Sequence, residues 1–270
     1  MKFFIFITIL SLLYFDYSFA NDYYDFSKIK GCFCEGGIIL GKVDKKDNVK
    51  INGIQQVISN DGYFTFAFGR KFKKPLRIEI NDESKVFIVK GRKYKIEKIN
   101  GLPSNKVQPK KSQLERIIKE QKFFVKMKKD NNMNRFFDSN FFLPFKGRIS
   151  GVFGSQRILN DKPKRPHYGI DIAAKLGTNI KSPSRGKVKG IYENMFFTGN
   201  TLILDHGLGL ISIFAHMEDI FVKEGDIVDH ESIVGTVGKT GRATGPHLHW
   251  GVYLAKKPID PMVLIDTSFN

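Results

Sequence analysis

The chain has 270 residues, of which 41% are hydrophobic and 26% charged, values ordinary for a soluble globular protein of one or two domains. Its formal net charge of +17 favours an anionic polymer or surface as partner, but no nucleic-acid-binding motif is present and no nucleic-acid partner is expected. The two cysteines cannot by themselves supply a four-ligand zinc site.

The first 20 residues have the pattern of a secretory signal peptide. Lys2 is the basic start, residues 3–14 are apolar, and Ser18 and Ala20 place small residues where a signal peptidase cleaves. A retained N-terminal anchor is the alternative, although a membrane-spanning helix needs about 20 apolar residues. No second apolar run approaches that length, so the sequence predicts an exported protein.

Residues 21–102 are predicted to form a small β-sandwich-like domain. Asn52-Gly53 and Asp61-Gly62 are hairpin-turn signals between apolar runs. The run Phe64–Phe68 alternates large aromatic residues with smaller ones, which is typical of a strand with one buried face. Because this region contains no histidine, we interpret it as an accessory domain.

Cys32 and Cys34 are separated by one residue, in the sequence GCFCEGG. A disulfide between cysteines at this spacing is strained and uncommon. Both lie too far beyond the predicted cleavage site to carry a lipid. We therefore expect two unpaired, buried thiols in a strand.

Residues 103–140 are predicted to be a basic linker that contains one helix. Pro103 and Pro109 interrupt its first part. The apolar residues that follow are spaced for one face of a helix: Leu114, Ile117, Ile118 and Val125. We expect this helix to pack on the protein; bridging the two domains, or covering part of a groove, are the alternatives.

Residues 141–270 again have a β pattern, with short apolar runs separated by glycines, and all six histidines lie between positions 167 and 249. On a strand, His167 and Asp171 would share a face, and so would His247 and His249. Two imidazoles and one carboxylate, with a fourth position open, make up a catalytic zinc site. Either His247 or His249 could supply the second imidazole.

The remaining histidines are interpreted from their neighbours. His206 precedes a Gly-rich turn and is expected to bond nearby backbone, while His230 is expected at the surface. His216 ends an apolar run that has no structural need for a polar residue, which makes it a further candidate for the site.

Several motifs in residues 144–262 resemble, in order and spacing, the lysostaphin-type (LytM-like) zinc endopeptidases of bacterial cell walls. They are GVFGSQRI, HYGIDIAA, GTNIKSPSRGKV, GNTLILDHGLGLISIFAHM, VKEGDIV, IVGTVGKTGRATGPHLHW and IDP. The resemblance implies an antiparallel β-sheet with a groove across it, in an enzyme that cuts peptide bridges or crosslinks of peptidoglycan. The fold class predicted for the whole chain is thus mainly β, with this peptidase domain preceded by the small sandwich and the linking helix.

Position by position, the resemblance implies that His167, Asp171 and His249 bind one zinc ion and that His216 and His247 are catalytic non-ligands. It implies zinc-activated water as the nucleophile, with the two free histidines assisting proton transfer. The sequence has no H-E-x-x-H motif, so the glutamate base of that motif is missing. Which of the two histidines is the general base stays open.

Alternatives to this function come from other classes. A catalytically inactive relative could bind the cell wall or activate another hydrolase, and a carrier-type β domain is a weaker alternative because no modified lysine is evident. Arg157 and Arg242 are either contacts for substrate carboxylates or ordinary surface charges. The expected partners are peptidoglycan peptide stems and an anionic envelope surface. The basic accessory domain, together with the lack of a wall-targeting repeat, favours a Gram-negative periplasm.

Overall fold

The computed structural model of the chain describes residues 24–128, 133–137 and 140–267. The predicted signal peptide or anchor, residues 1–20, lies outside these ranges. In the part of the chain that is described, no helix is both long and apolar enough to cross a membrane.

Eight short strands precede the first helix. They are β1 (Lys30–Gly31), β2 (Ile38–Lys42), β3 (Val49–Ile51), β4 (Ile54–Gln55), β5 (Tyr63–Ala67), β6 (Leu76–Ile80), β7 (Glu83–Phe87) and β8 (Ile96–Ile99), with a 3₁₀ turn at Phe26–Lys28. The first seven form two antiparallel sheets, β1–β2–β5 and β4–β3–β6–β7. Ile39 and Phe64 of one sheet pack in a common core with Ile51 and Ile78 of the other. The prediction of a small β-sandwich-like unit is confirmed.

The prediction for the two cysteines is wrong, because Cys32 and Cys34 form a disulfide. They lie in the loop between β1 and β2, where the two Cα atoms are 5.2 Å apart, within the range that a disulfide spans. The expectation of free thiols assumed an extended strand, which would hold these atoms farther apart.

Two helices follow, α1 (Ser104–Val107) and α2 (Leu114–Met127), with a 3₁₀ turn at Lys111–Gln113 before α2. Helix α2 lies where the sequence predicts a helix, but the side chains that pack it against the protein differ from the prediction. Phe123, Phe124 and Met127 pack against isoleucines of the large sheet, and Ile117 is buried. The other predicted contact residues are 43–49% exposed: Leu114, Ile118 and Val125. The packed face is thus formed by Ile117 together with large side chains near the end of the helix.

Most of the rest of the chain builds one large antiparallel sheet. The remaining elements are β9 (Arg148–Gly151), β10 (Gln156–Leu159), β11 (Lys162–Pro163), β12 (Ile170–Ala173), β13 (Asn179–Lys181), β14 (Gly186–Met195), β15 (Gly199–Gly207), β16 (Leu210–Ile220), β17 (Ile227–Val228), β18 (Ile233–Val237), β19 (His247–Leu254), β20 (Lys257–Ile259) and α3 (Pro261–Asp266). Strands β10 and β11 form a separate three-stranded sheet with β8, and the other strands belong to the large sheet. The central order is β17–β14–β15–β16–β19–β12–β9. The prediction of a mainly β chain with an antiparallel sheet is confirmed.

The two regions are joined by backbone pairing and by a shared core. Strand β8 pairs in parallel with β10, and Ile38, Leu40 and Ala67 belong to the same buried cluster as the large sheet. Arg92 also forms an ion pair with Asp260, N to O 2.7 Å. The domain limits at residues 102 and 140 remain predictions.

Candidate metal centre

Strand pairing brings Asp171 and His249 together. They are direct partners in the antiparallel pair β12–β19. His167 lies before β12 begins rather than on a strand, which corrects the expectation that it shares a strand face with Asp171. Its backbone is fixed by bonds to the preceding loop, from the His167 N–H to the Ser155 carbonyl and from the Gly154 N–H to the His167 carbonyl.

One atom from each of these three residues meets at a common point. His249 Nδ1 lies 2.8 Å from Asp171 Oδ1 and 2.9 Å from His167 Nε2, and the latter two atoms are 3.0 Å apart. A tetrahedral zinc ion, with ligands at 2.0–2.1 Å, separates its ligand atoms by about 3.3 Å. The spacing and the donor types therefore fit a zinc ion.

The ionisation states at this point suit a cation. Burial opposes the ionisation of Asp171, but the neighbouring imidazoles of His167 and His249 outweigh it and hold the pKa of the carboxyl well below its usual range. Burial lowers the pKa of His249 to about 4, so its imidazole is neutral at pH 7. The Nδ1–H of His167 donates to the Val152 carbonyl at 3.1 Å. In this tautomer the Nε2 atom carries the lone pair that can bind a metal.

Arg157 is engaged with carboxylates of the chain itself. Its Nη2 donates to Asp171 Oδ2, and its Nε lies 3.5 Å from Glu97 Oε2. Gly151 makes room for this pair, since a Cβ there would come within 2.5 Å of Asp171 Oδ2 and 2.8 Å of Arg157 Nη2. The guanidinium is thus paired with carboxylates of the protein, and its contact with a substrate carboxylate remains a prediction.

His216 reaches the site from a bulge. Asn200 pairs with Met217 and Leu202 with Phe214, so β16 has one extra residue at this point. The bulge holds His216 in the left-handed region, with φ of 64°. Its Nδ1–H donates to the Thr240 carbonyl at 2.8 Å, which leaves Nε2 free to accept a proton. Burial, aided by nearby imidazoles, lowers the pKa of His216 to about 3.

His247 lies on the same face of β19 as His249. Its Nδ1–H donates to the Gly245 carbonyl at 2.8 Å, and its Nε2 is 4.0 Å from Asp171 Oδ1. The ring centroids of His216 and His247 are 4.8 Å apart. Two histidines whose Nδ1 atoms are bonded to backbone carbonyls therefore stand beside the three-atom cluster.

A groove of about 420 Å³ opens over these residues. His167, His216 and His249 form its floor, and Lys164, Arg165 and Arg242 add positive charge to its lining. Helix α2 contributes Gln121 to this groove and to an adjoining hollow of about 310 Å³. Helix α2 thus borders the groove.

Arg242 remains a candidate for contact with a substrate carboxylate. Its guanidinium lies 4.5 Å from the Phe197 ring centroid and donates to the Lys106 carbonyl at 3.4 Å. Burial lowers its pKa to about 10, which still leaves the side chain charged at pH 7.

Glu97, Gln121 and Lys106 have no signal in the sequence, because each becomes a neighbour of the site only through long-range folding.

The two remaining histidines match their expectations. His206 is fully buried, and its Nδ1–H donates to the Arg185 carbonyl at 2.8 Å while its Nε2 accepts from the Ser212 hydroxyl at 2.8 Å. Trp250 Nε1 donates to the same hydroxyl oxygen at 3.1 Å. His230 is exposed and stacks on Phe142. His206 is thus structural, and His230 is a surface residue.

Comparison with known proteins agrees with this geometry. The model of peptidase family M23 matches residues 165–261. A metalloprotease of Buchnera aphidicola that is named uncharacterized is 37% identical over 147 residues, 52% of this chain and 38% of that protein. The peptidoglycan DD-endopeptidase ShyA of Vibrio cholerae is 35% identical over 119 residues, 43% of this chain and 27% of ShyA.

The chain therefore matches well under half the length of each of these two relatives. Among solved structures, a Pseudomonas aeruginosa protein assigned to peptidase M23 is similar over 86% of this chain and 94% of its own, with a TM-score of 0.58 and 27% identity. Residues 165–261 thus match peptidase family M23, which confirms the resemblance drawn from the sequence.

Proposed function

We propose that the chain is a zinc-dependent endopeptidase that hydrolyses peptide crosslinks of bacterial peptidoglycan. The observation that carries the proposal is the convergence of His167, Asp171 and His249 within 3.0 Å of one another, beside two further histidines. Relatives of this chain include proteins named as peptidoglycan DD-endopeptidases, which supports the substrate class. The cationic lining of the groove suits peptide stems that carry free carboxylates.

The proposed roles follow from the hydrogen bonds at each residue. His167, Asp171 and His249 hold zinc, which when bound lowers the pKa of a coordinated water to about 7 and polarises a peptide carbonyl. His216 and His247 present Nε2 lone pairs, because each Nδ1–H is committed to a backbone carbonyl. One Nε2 accepts a proton from the attacking water and later donates it to the departing amine. The other, when protonated, donates a hydrogen bond to the oxyanion.

Purified protein incubated with peptidoglycan sacculi tests this function. We expect soluble muropeptides whose masses identify the bond that is cut, and we expect a chelator to abolish their release and added zinc to restore it. A protein that binds zinc but releases nothing from any wall type would instead be the inactive scaffold. Sequencing the N-terminus of the mature protein from the cell envelope tests the proposed export and signal cleavage.

A further inference from the structure

Glu97 contacts the partners of two of the three predicted zinc ligands, although it lies well before residues 165–261. It belongs to β8, the strand that follows the small sandwich and pairs in parallel with β10. In that pair Glu97 is the direct partner of Arg157. The side chain of Glu97 is 21% exposed, so both of its carboxylate oxygens can be engaged by neighbours within the protein.

The first contact runs through Arg157 to Asp171. Glu97 Oε2 lies 3.5 Å from Arg157 Nε, and Arg157 Nη2 donates to Asp171 Oδ2. This bond leaves Asp171 Oδ1 directed at the metal centre. A guanidinium so close to a dication would repel it, and the Glu97 carboxylate offsets that charge.

The second contact runs through Val152 to His167. Glu97 Oε1 accepts a hydrogen bond from the Val152 N–H at 3.2 Å, and the carbonyl of the same residue accepts from His167 Nδ1 at 3.1 Å. The Val152 peptide groups therefore link Glu97 to the imidazole. This link fixes the tautomer and the ring orientation that leave Nε2 as the ligand atom.

We propose that Glu97 is a positioning residue that braces the zinc site through Arg157 and through Val152 at once. A strand outside the region that matches the peptidase family thereby tunes the metal affinity of that region. The inference rests on the proposed zinc site and extends it to residues toward the N-terminus.

Zinc affinity measured by competition with a chromophoric chelator tests this proposal without any substrate. We expect Glu97→Ala to bind zinc 10- to 100-fold more weakly than the unchanged protein, the usual effect of removing an outer-shell partner. Glu97→Gln keeps an oxygen for the Val152 N–H but removes the charge that balances Arg157, so we expect a smaller loss, of about three- to tenfold. The absorption spectrum of the cobalt-loaded protein should change in both variants, because the ligand orientation changes.

The matched control is Glu79→Ala, which removes a carboxylate paired with Arg77 in the four-stranded sheet of the sandwich. It should leave the zinc affinity and the cobalt spectrum unchanged. If both Glu97 variants bind zinc within twofold of the unchanged protein, or lose only stability in the metal-free state, Glu97 does not position the site. Glu97→Gln, which is nearly isosteric, serves if Glu97→Ala does not fold.

Activity separates this inference from the proposed function. The Glu97 variants should lower kcat for muropeptide release more than they change KM, because Glu97 lies behind Arg157 and does not line the groove. Absence of release by the unchanged protein would refute the proposed function, whereas unchanged zinc affinity in the variants would refute only the role of Glu97.

Discussion

The donor atoms of the candidate metal centre come from residues up to 82 positions apart, and two of the three residues are oriented by bonds from outside the cluster. His167 is oriented by a carbonyl, and Asp171 by a guanidinium. At this scale the surroundings of His247 and His249 differ, although the two residues are only two positions apart. His249 touches Asp171 at 2.8 Å, whereas His247 stands 4.0 Å from it and bonds a carbonyl instead.

Removal of one predicted ligand should abolish zinc binding at micromolar metal. In His249→Ala, two donors remain, too few for a tetrahedral site, so we expect loss of stoichiometric zinc and at least a thousandfold loss of muropeptide release, on the order of 4 kcal/mol. Metal analysis of the purified protein and a release assay measure both effects. His230→Ala changes the exposed histidine and should alter neither; retained zinc in His249→Ala would contradict the predicted ligand set.

His206 predicts a dependence of stability on pH. Burial lowers its pKa from 6.5 to about 4, so the unfolded chain binds more protons than the folded one between these values. The contribution of neutral His206 to the free energy of unfolding is complete above pH 6.5 and decreases as the pH drops toward 4. From pH 7 to pH 5, the loss is on the order of 2 kcal/mol.

Urea unfolding of the metal-free protein at pH 7 and at pH 5 measures this loss of stability. His206→Gln keeps a side-chain amide for hydrogen bonding but cannot titrate, so its free energy of unfolding should fall less steeply with acid. His216 and His249 titrate in both proteins and cancel in the comparison. Parallel pH dependence in the two proteins would mean that His206 is not the group responsible.

At the scale of elements, α2 is held on the sheet by a buried carboxylate as well as by aromatic packing. Glu120 is 5% exposed, and its two oxygens accept from the Phe196 N–H at 2.9 and 3.1 Å. Arg116 pairs with the same carboxylate at 2.8 Å. The carboxylate therefore ties the helix to the turn between β14 and β15, next to the groove.

Glu120→Ala should destabilise the protein by about 1–3 kcal/mol, since it leaves a buried N–H without its partner. Chemical denaturation measures the free energy of unfolding. Glu115→Ala removes an exposed carboxylate from the same helix and should change it by less than about 0.5 kcal/mol. Equal effects of the two substitutions would show that the Phe196 contact does not hold the helix.

At the scale of the whole molecule, the net charge of +17 predicts how the protein meets its substrate. Attraction between a basic surface and an anionic wall polymer is screened by salt, with a Debye length of about 10 Å at 0.1 M and about 3 Å at 1 M. Retention on sacculi in a pelleting assay should therefore weaken severalfold between 50 mM and 500 mM salt. His249→Ala leaves the surface charge intact and should be retained like the unchanged protein; retention that is independent of salt would exclude charge as the cause.

The whole molecule also shows why the sequence could not predict every neighbour of the site. The alternation of apolar residues predicted the sandwich, because side-chain direction in a strand has a period of two. The chemical types of the ligands predicted zinc, because two imidazoles and a carboxylate suit that ion wherever they converge. The order and spacing of the motifs identified the peptidase region and predicted five site residues within it.

Local pattern alone thus determined the mainly β class, the helix at residues 114–127 and the types of residue that could hold a metal. Only the tertiary structure decided that Arg157 faces Asp171, that Glu97 stands behind both, and that Phe123 and Glu120 anchor the helix. It also decided that Cys32 and Cys34 are joined, since the loop holds their Cα atoms 5.2 Å apart, closer than an extended strand would. The physical reason is that the periodicity of apolar residues predicts which face of an element a side chain occupies. Which residue it contacts 60–80 positions away in the sequence depends on how the strands pair.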